Sequence, residues 1–211
     1  MNALITGSSS GIGEAIVKEL RSKGYKIIPF RSRLEDINSL KREAEAIKEP
    51  LDVLIHSAGF GLFGPLENLH ITQIEKLIRV NLIAPITLTS LLLRKLKQSK
   101  GHIISISSIE ALKHSKFSSV YTASKAGLRA FSLSLFEEVR KSGVRVTNIN
   151  PDITKTPFFD DLHFEPSDKK DSFLTPLDIA NMVVQALEFN GNVSELTLRP
   201  QRFEINKKPQ L

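Results

Sequence analysis

The feature that most constrains the fold is the alternation of short apolar runs with longer helical patterns from one end of the chain to the other. This alternation is typical of a parallel sheet in which crossover helices join consecutive strands. The apolar runs are brief and rich in Ile, Val or Leu, and they predict strands near Asn2–Thr6, Lys26–Phe30, Leu51–Ser57, Gly101–Ser107, Val144–Asn150 and Val193–Leu198. The predicted fold class is therefore α/β, a doubly wound parallel sheet of six, possibly seven, strands with helices on both faces.

Helical patterns fill the intervals at Gly13–Lys23, Thr72–Gln98, Ser119–Ser142 and Pro176–Glu188. Between Phe30 and Leu51, apolar residues again recur at helical spacing, so one crossover helix is expected there. Three residue pairs have the spacing of side-chain caps: Ser32 with Glu35, Thr72 with Glu75, and Thr175 with Asp178.

The chain of 211 residues is expected to form one domain, because no repeat or linker divides residues 1–211. The irregular segment at about residues 157–175 is expected to be a substrate loop, either a mobile lid or an ordinary surface connection. Apolar residues make up 41% of the chain and charged residues 25%, which excludes the disordered and fibrous classes.

Charge and cysteine content exclude further classes. The net charge of +6 is spread along the chain, so no nucleic-acid partner is expected. The chain has no cysteine, which excludes disulfides and thiolate chemistry. Its first residues do not resemble a secretory leader, and no run reaches the about 18 uninterrupted apolar residues of a membrane span. We therefore expect a cytoplasmic protein without a membrane partner.

A glycine-rich turn follows the first strand and opens the first helix. Glycines at this point allow a pyrophosphate to approach backbone amides at the positive end of the helix dipole. The order of strand, turn and helix favours dinucleotide binding over a purely structural turn. The candidate cofactor contacts in the turn are Gly7, Ser9, Ser10, Gly11, Ile12 and Gly13.

Arg31 stands just past the second predicted strand, where the adenosine ribose of a dinucleotide would lie. Phe30 occupies the place where an acidic residue would bind a free 2′-hydroxyl group. A guanidinium group there favours a 2′-phosphate, so NADP(H) is expected in preference to NAD(H), with Arg33 as a further contact. The alternative is that both arginines are simply solvated.

Tyr121 and Lys125 are four residues apart on a predicted helix, so both project from one face. A phenol has a pKa of about 10, and an adjacent ammonium group lowers that pKa, which would give a usable proton donor. Ser108 ends a buried strand at the edge where parallel sheets bind ligands, and it could donate a hydrogen bond to a substrate oxygen. The alternatives are a surface Tyr/Lys pair and a serine that only forms a turn.

Asn81 lies inside an otherwise apolar helical pattern, where an amide is a poor helix former. Pro85 has no N–H group, so it cannot donate to the carbonyl of residue 81. The Asn81 carbonyl would then be free to hold a water molecule. The alternative is a kink in a packing helix, which needs the same proline.

Taken together, these residues resemble the short-chain dehydrogenase/reductase family over nearly the whole chain. Residues 6–13 are similar to its TGxxxGIG loop, residues 56–59 to its NNAG turn, residues 121–125 to its YxxxK motif, and residues 151–156 to its PGxxxT segment. Ser108 lies 13 residues before Tyr121, as the family's catalytic serine does. The resemblance implies a Rossmann-type fold and further cofactor contacts at Ser57, Ala58, Gly59, Pro151, Ile153, Thr154 and Thr156.

The family's catalytic roles carry over to four residues of this sequence. The resemblance implies that Ser108 polarises a carbonyl group and that Tyr121 passes the proton. Lys125 would bind the nicotinamide ribose and lower the Tyr121 pKa, and Asn81 would hold a water molecule in a proton relay. Hydride transfer would belong to the cofactor.

Three features depart from the family pattern. Residues that the family usually places between the second strand and the NNAG turn are absent. One interpretation is that a strand and a helix are missing. The alternative is that Asp36 and Ile37 correspond to the Asp-Val pair with which the family contacts adenine. His56 replaces the first Asn of NNAG. Asp152 replaces the Gly of PGxxxT and adds a charge near the expected nicotinamide site.

The leading functional hypothesis is NADP-dependent, reversible reduction of a small-molecule ketone or aldehyde to an alcohol. A second hypothesis is a nucleotide sensor or interaction module that kept the fold without activity, and a third is a nucleic-acid binder. The resemblance and surplus apolar helical surface imply a homodimer or homotetramer. Apolar residues after the glycine turn and in the loop imply a largely apolar pocket, at Phe60, Leu62, Phe63, Phe158, Phe159 and Phe164.

Overall fold

A parallel sheet is the centre of the computed structural model, which describes residues 1–208. The strands, in chain order, are β1 (Asn2–Thr6), β2 (Lys26–Ile28), β3 (Val53–His56), β4 (His102–Ile106), β5 (Arg145–Pro151), β6 (Phe164–Pro166), β7 (Glu195–Leu198) and β8 (Ile205–Lys207). The main sheet has six strands in the order β2-β1-β3-β4-β5-β7, and every neighbouring pair is parallel. The predicted α/β fold with six strands is confirmed.

The α-helices are α1 (Gly11–Ser22), α2 (Ile37–Ala46), α3 (Ile71–Ile78), α4 (Ala84–Ser99), α5 (Ser119–Val139) and α6 (Pro176–Glu188). Helices α1 and α6 pack on one face of the sheet through residues such as Ile16 and Val183. Helices α2, α4 and α5 pack on the other face through residues such as Leu40, Leu92 and Leu135. Side chains of a strand alternate between the two faces, so Leu54 and Ile55 of β3 enter opposite cores.

Two of the three predicted caps are wrong. Helix α2 begins after Asp36, whose Oδ1 accepts hydrogen bonds from the backbone N–H groups of Asn38 and Ser39, both at 3.0 Å. Helix α3 begins at Ile71 after His70, whose backbone N–H donates to the Gln73 side-chain oxygen at 3.2 Å. The cap at Thr175 and Asp178 is confirmed as a reciprocal capping box. Cap spacing recurs by chance in polar segments, and the direction in which the chain enters the helix decides which residue is used.

The long helix predicted over Thr72–Gln98 is interrupted. A π-helical turn at Arg79–Ile83 separates α3 from α4. It lies just before Pro85, which cannot donate a backbone hydrogen bond, and π turns often occur at functional sites. The turn contains Asn81, the polar residue that the sequence singled out.

Residues Ile71–Ser99 form the only helical stretch in the described part of the chain that is long and apolar enough to cross a bilayer by length and composition alone. Its most apolar 18-residue window has a mean hydropathy of 1.5, and 44% of that window is buried inside the protein. Leu77, Leu88, Leu92 and Leu96 are fully buried. These side chains therefore contribute to the core.

The region between β2 and β3 contains α2 and, within residues 1–208, no further strand, so β2 is an edge strand of the main sheet. The missing strand is therefore a deletion rather than a shortening. A second, antiparallel sheet of β6 and β8 was not predicted; it joins the irregular segment after β5 to the end of the chain.

Candidate active site

Four chain segments meet at the carboxyl edge of the main sheet. The glycine-rich turn follows β1, residues 57–59 follow β3, Ser107 and Ser108 follow β4, and residues 152–156 follow β5. Because parallel strands all end at the same edge, this is where an open α/β sheet binds ligands. A cavity of about 610 Å³ lies there, and it is lined by Ile12, Ser57, Gly59, Ser108, Tyr121 and Lys125, among others.

Tyr121 and Lys125 are both buried on the first turns of α5, facing the end of β4. The Lys125 ammonium nitrogen donates to the carbonyl oxygen of Ile106 at 3.0 Å. The Ser107 hydroxyl donates to the backbone carbonyl of Lys125 at 2.9 Å, which fixes α5 against the end of β4. The alternative of a surface Tyr/Lys pair is therefore excluded, and both side chains belong to the cavity wall.

Burial raises the pKa of Tyr121 to about 12, although a hydrogen bond with the Ser108 hydroxyl acts in the opposite direction and the nearby Glu110 charge raises the pKa further. Burial also lowers the pKa of Lys125 to about 8. The expected lowering of the Tyr121 pKa by Lys125 is not found in this structure. The reason is geometric: the ammonium group is directed toward Ile106, and it lies 6.0 Å from the centroid of the Tyr121 ring.

Asn81 is completely buried, and its side chain holds the chain that follows β3. Its Oδ1 accepts from the Phe60 N–H at 3.2 Å, and its Nδ2 donates to the Phe60 carbonyl at 3.0 Å and to the Ser124 hydroxyl at 3.2 Å. A Cβ atom at Gly59 would lie 3.2 Å from Asn81 Oδ1 and 3.3 Å from Lys125 Nζ. Asn81, Gly59 and Lys125 are thus in direct packing contact, while the water-holding role of Asn81 stays a prediction.

The glycine-rich turn packs tightly against its neighbours. Gly7 has a φ of +68°, and a Cβ there would lie 2.6 Å from the Ala58 Cα atom. A Cβ at Gly13 would lie 2.1 Å from the Gly7 carbonyl oxygen, and one at Gly11 would lie 3.3 Å from Thr156 Cβ. The turn after β1 therefore touches both the turn after β3 and the segment after β5. Ser9 and Ser10 are exposed beside it.

The residues at this edge fit a dinucleotide. Amides at the amino end of α1 stand behind the glycine-rich turn, as pyrophosphate binding requires. The Ser57 hydroxyl oxygen is buried and has no hydrogen-bond partner among residues 1–208, although it lies on the cavity wall. Pro151, Ile153, Thr154 and Thr156 line the same cavity. A buried hydroxyl group without a partner is expected to be satisfied by a ligand.

Acidic side chains hold the segment after β2. The Glu43 carboxylate accepts from the backbone N–H groups of Arg31 and Ser32, at 2.7 and 2.5 Å. Arg31 itself is exposed. Asp36 caps α2 through Oδ1, so its carboxylate has a structural role, and the suggested adenine contact stays a prediction.

The two substituted motif residues are both accommodated. His56 Nε2 is 2.8 Å from the Thr89 hydroxyl on α4, and burial lowers the His56 pKa to about 3, so the ring is neutral at pH 7. The Asp152 carboxylate accepts from the Ile153 N–H at 2.9 Å and from Arg199 Nε at 3.0 Å. The added charge of Asp152 is therefore paired.

Aromatic rings form one side of the cavity. Phe63 and Phe158 lie 5.2 and 5.9 Å from the Tyr121 ring, centroid to centroid, and Phe164 lies 5.2 Å from Phe63. Phe159 also lines the cavity, so the substrate loop at 157–175 contributes three phenylalanines to it. The Phe60 backbone, by contrast, is bound by Asn81.

Comparison with known proteins assigns this chain to a protein family. A family model described as short chain dehydrogenase matches residues 1–50 and 32–165. An uncharacterized oxidoreductase of Staphylococcus saprophyticus is 32% identical over 229 aligned residues, which cover 94% of this chain and 96% of the relative. An oxidoreductase of Staphylococcus aureus is 32% identical with the same coverage. The chain belongs to the short-chain dehydrogenase/reductase family.

Solved structures agree with the fold of this short-chain dehydrogenase/reductase. An alcohol dehydrogenase from the archaeon Thermococcus sibiricus, complexed with 5-hydroxy-NADP, has a TM-score of 0.86 and 25% identity, covering 96% of this chain and 98% of that chain. Serine dehydrogenase from Escherichia coli has a TM-score of 0.80 and 22% identity, covering 95% and 98%. The resemblance is confirmed, and the protein is an oxidoreductase that uses a nicotinamide cofactor.

The sequence did not indicate that Glu110, Phe203 and Ile205 belong to the site of this short-chain dehydrogenase/reductase. Glu110 is a buried carboxylate that accepts hydrogen bonds from Ser115, Ser118 and Thr122. Phe203 and Ile205 reach the cavity from the end of the chain. Two large apolar residues in an otherwise polar terminal segment were the available signal for the last two. Nothing in the sequence distinguishes Glu110 from a solvated glutamate.

Proposed function

We propose that the protein is an NADP(H)-dependent oxidoreductase that reversibly reduces a small-molecule ketone or aldehyde to an alcohol. The observation that carries this proposal is the burial of Tyr121, Ser108 and Lys125 on one cavity wall beside the glycine-rich turn. The catalytically silent sensor is not favoured, because all four residues that match the family's catalytic residues are present in the sequence, and Ser108, Tyr121 and Lys125 line one cavity.

The side chains supply the proton chemistry of the proposed reaction. When bound, the nicotinamide donates or accepts the hydride. With a pKa of about 12, Tyr121 is protonated at neutral pH and can donate its phenolic proton to the carbonyl oxygen during reduction. The Ser108 hydroxyl, which lines the same cavity as Tyr121, donates a hydrogen bond to the same oxygen as negative charge develops.

Lys125 and Asn81 have supporting roles beside Tyr121 and Ser108. The Lys125 ammonium group has donors beyond the one used by Ile106, and these would bind the ribose hydroxyl groups of the nicotinamide nucleoside. Asn81 fixes the Phe60 backbone and with it the turn at Gly59, which lies against Lys125. These contacts position the wall of the proposed cofactor site.

The preference for NADP(H) is proposed from Arg31, which follows β2 at the cofactor edge without an acidic residue in the strand's last positions. Two proteins of this fold support the proposal, an alcohol dehydrogenase with 5-hydroxy-NADP and a serine dehydrogenase with NADP+. A 4-hydroxyisoleucine dehydrogenase of the same fold is complexed with NADH. The fold accepts both cofactors, so the choice depends on local residues.

A homodimer or homotetramer in the cytoplasm completes the proposal. Ile83 and Ile86 are exposed at the junction of the π turn and α4, and Ala123 and Ala130 are exposed on α5. Exposed apolar and small residues on two neighbouring helices allow close packing of a second copy. A monomeric mass by light scattering at micromolar concentration would contradict this assembly.

The decisive test replaces Tyr121 with Phe, which removes only the phenolic hydroxyl. We expect NADPH-dependent reduction across a panel of ketones and aldehydes, followed at 340 nm, to fall by a factor of roughly 10³ or more, since the proton donor is lost. The Kd for NADPH should change less than about twofold, because the ring and Lys125 remain.

Tyr25 is the matched control, because it is the only other tyrosine of the chain and lies outside the cavity. Tyr25→Phe should leave both turnover and NADPH binding unchanged. A Tyr121→Phe protein that still reduces carbonyls at the wild-type rate would refute the mechanism. Tight NADPH binding by wild type with no turnover on any carbonyl would favour the sensor instead.

A further inference from the structure

The end of the described chain returns to the active site. Strand β8 pairs antiparallel with β6 in the substrate loop, with Phe164 opposite Lys207 and Pro166 opposite Ile205. The two strands are three residues long, too short to be stable alone. Other contacts must therefore hold this small sheet in place.

Polar contacts fasten the terminal segment to the substrate loop at both ends. The Arg202 N–H donates to the Asp171 carbonyl at 2.9 Å, and the Lys208 N–H donates to the His163 carbonyl at 2.9 Å. The Lys208 ammonium group also donates to the Phe159 carbonyl at 2.6 Å. The loop and residues 202–208 thus form one structural unit.

This unit turns two apolar side chains toward the cavity. Phe203 and Ile205 line it, yet 54% and 39% of their surfaces are exposed. The Phe203 ring lies 4.8 Å from the Lys113 ammonium nitrogen, on the side of the cavity where Ser108 begins the turn after β4. Large apolar side chains left half-exposed at the mouth of a cavity indicate a binding surface.

The acidic groups of the cavity are already engaged, and Lys116, which is exposed at the cavity wall, lies 4.7 Å from the centroid of the Phe117 ring. Glu110 accepts from three hydroxyl groups and lies 3.5 Å from Lys113, and the Asp152 carboxylate pairs with Arg199. A cationic substrate would have to displace these partners. An uncharged substrate body fits the remaining surface, which consists of aromatic rings near Tyr121 and of apolar side chains at the mouth.

We propose that the terminal strand β8 forms the outer wall of the substrate site, and that Phe203 and Ile205 select uncharged carbonyl substrates with an aromatic or aliphatic group attached to the carbonyl carbon. The inference rests on the proposed function. With the carbonyl group at Tyr121 and Ser108, the rest of such a substrate lies between Phe63 and Phe158 on one side and the terminal segment on the other.

The test compares ketones of different size with the variants Phe203→Ala and Ile205→Ala. With saturating NADPH, KM for acetophenone and 2-octanone should rise about tenfold, which corresponds to about 1.4 kcal/mol of lost contact. KM for acetone, kcat for each ketone and the Kd for NADPH should change less than about threefold, since the catalytic residues are untouched.

Asn206→Ala is the matched control, because Asn206 is exposed on the same strand and does not line the cavity. It should leave every KM unchanged. Equal effects on acetone and acetophenone, or no effect on either, would overturn the proposal, and so would a wild-type preference for 2-keto acids over neutral ketones. Phe203 is half-exposed, so its replacement should not unfold the protein, which circular dichroism verifies.

A measurement without turnover separates this inference from the proposed function. Saturation-transfer NMR reports acetophenone binding to the complex of the enzyme with NADP+, in wild type and in each variant. Weaker acetophenone binding in Phe203→Ala and Ile205→Ala, but not in Asn206→Ala, supports the proposal that the terminal segment lines the substrate site, even if no carbonyl is reduced. Unchanged acetophenone binding in all three variants overturns this proposal, whatever the outcome of the activity assays.

Discussion

Tyr121 shows how one residue obtains its chemistry from its surroundings. Its position on the same helix face as Lys125 could be predicted, because residues four apart in a helix always share a face. Its pKa could not be predicted. The value of about 12 depends on burial, on Ser108 and on Glu110, and Lys125 is directed instead at the Ile106 carbonyl. Spacing fixes which side chains are neighbours, while their electrostatic effect depends on tertiary contacts.

The proposed preference for NADP(H) also depends on single residues. Glu43 binds the amides of Arg31 and Ser32 and so sets the path of the chain after β2, which leaves the Arg31 side chain exposed. The position of Arg31 after the second strand could be predicted from the sequence. The sequence gave no indication that Glu43, twelve positions further on, would accept a hydrogen bond from the Arg31 backbone N–H.

Replacement of Arg31 by Ala should therefore weaken the binding of NADPH and leave the binding of NADH unchanged. A hydrogen bond to a charged group contributes about 1.5–3 kcal/mol, so the Kd for NADPH should rise roughly tenfold or more, while the Kd for NADH should stay within about twofold. Titration of cofactor fluorescence measures both constants. Arg21→Ala, exposed in the last turn of α1, is the control. Equal affinity of wild type for the two cofactors, unchanged by Arg31→Ala, would show that Arg31 does not select NADP(H).

The regular elements could be predicted because each has a local signature. Short apolar runs gave the six strands of the main sheet, and helical periodicity gave the helices. Strands β6 and β8 have no such signature, since each exists only through the other and they lie about forty residues apart in the chain. The π turn at Arg79–Ile83 was likewise invisible, although Asn81 and Pro85 marked its place.

Glu110 positions one element against another. It lies in the 3₁₀ turn that follows Ser108, and it accepts hydrogen bonds from Ser118, which precedes α5, and from Thr122, which follows Tyr121. The Glu110 carboxylate is satisfied by three hydroxyl donors and by a salt bridge with Lys113 at 3.5 Å. Glu110 thus fixes the distance between the elements that carry Ser108 and Tyr121.

Loss of this contact should slow the reaction without weakening cofactor binding. Glu110→Ala leaves buried hydroxyl groups unpaired and frees the turn after β4, so kcat should fall about tenfold or more, while the Kd for NADPH stays within about twofold. Glu110→Gln keeps an acceptor and should retain more activity than Glu110→Ala. Glu138→Ala, exposed on α5, is the control. Wild-type kcat in Glu110→Ala would contradict a positioning role.

At the scale of the whole molecule, two neutral histidines lie inside the sheet. His56 ends β3 and His102 begins β4, and burial lowers the pKa of each to about 3. The His102 ring bonds the Thr147 hydroxyl at 2.7 Å, and Thr147 donates in turn to the Val193 carbonyl, so the ring nitrogen Nε2 is the donor. The other ring nitrogen, Nδ1, is buried without a partner within residues 1–208.

These rings should make the fold sensitive to acid. An unfolded histidine has a pKa of about 6.5, so between pH 6.5 and pH 3 the unfolded chain binds protons that the folded chain excludes, and stability falls as the pH falls. Because one pKa unit corresponds to 1.36 kcal/mol, each ring should lower the free energy of unfolding by about 2–3 kcal/mol between pH 7 and pH 4.5.

The variant His102→Gln isolates one of these contributions, because the glutamine amide can donate to Thr147 but does not titrate. Urea unfolding at pH 7 and at pH 4.5 should show that this variant loses about 2–3 kcal/mol less stability than wild type on acidification, whatever its stability at pH 7. His114→Gln, at an exposed position, should lose as much as wild type. If His102→Gln and wild type lose the same free energy of unfolding on acidification, protonation of His102 does not drive acid unfolding. The His102 ring would then be protonated while the protein is still folded.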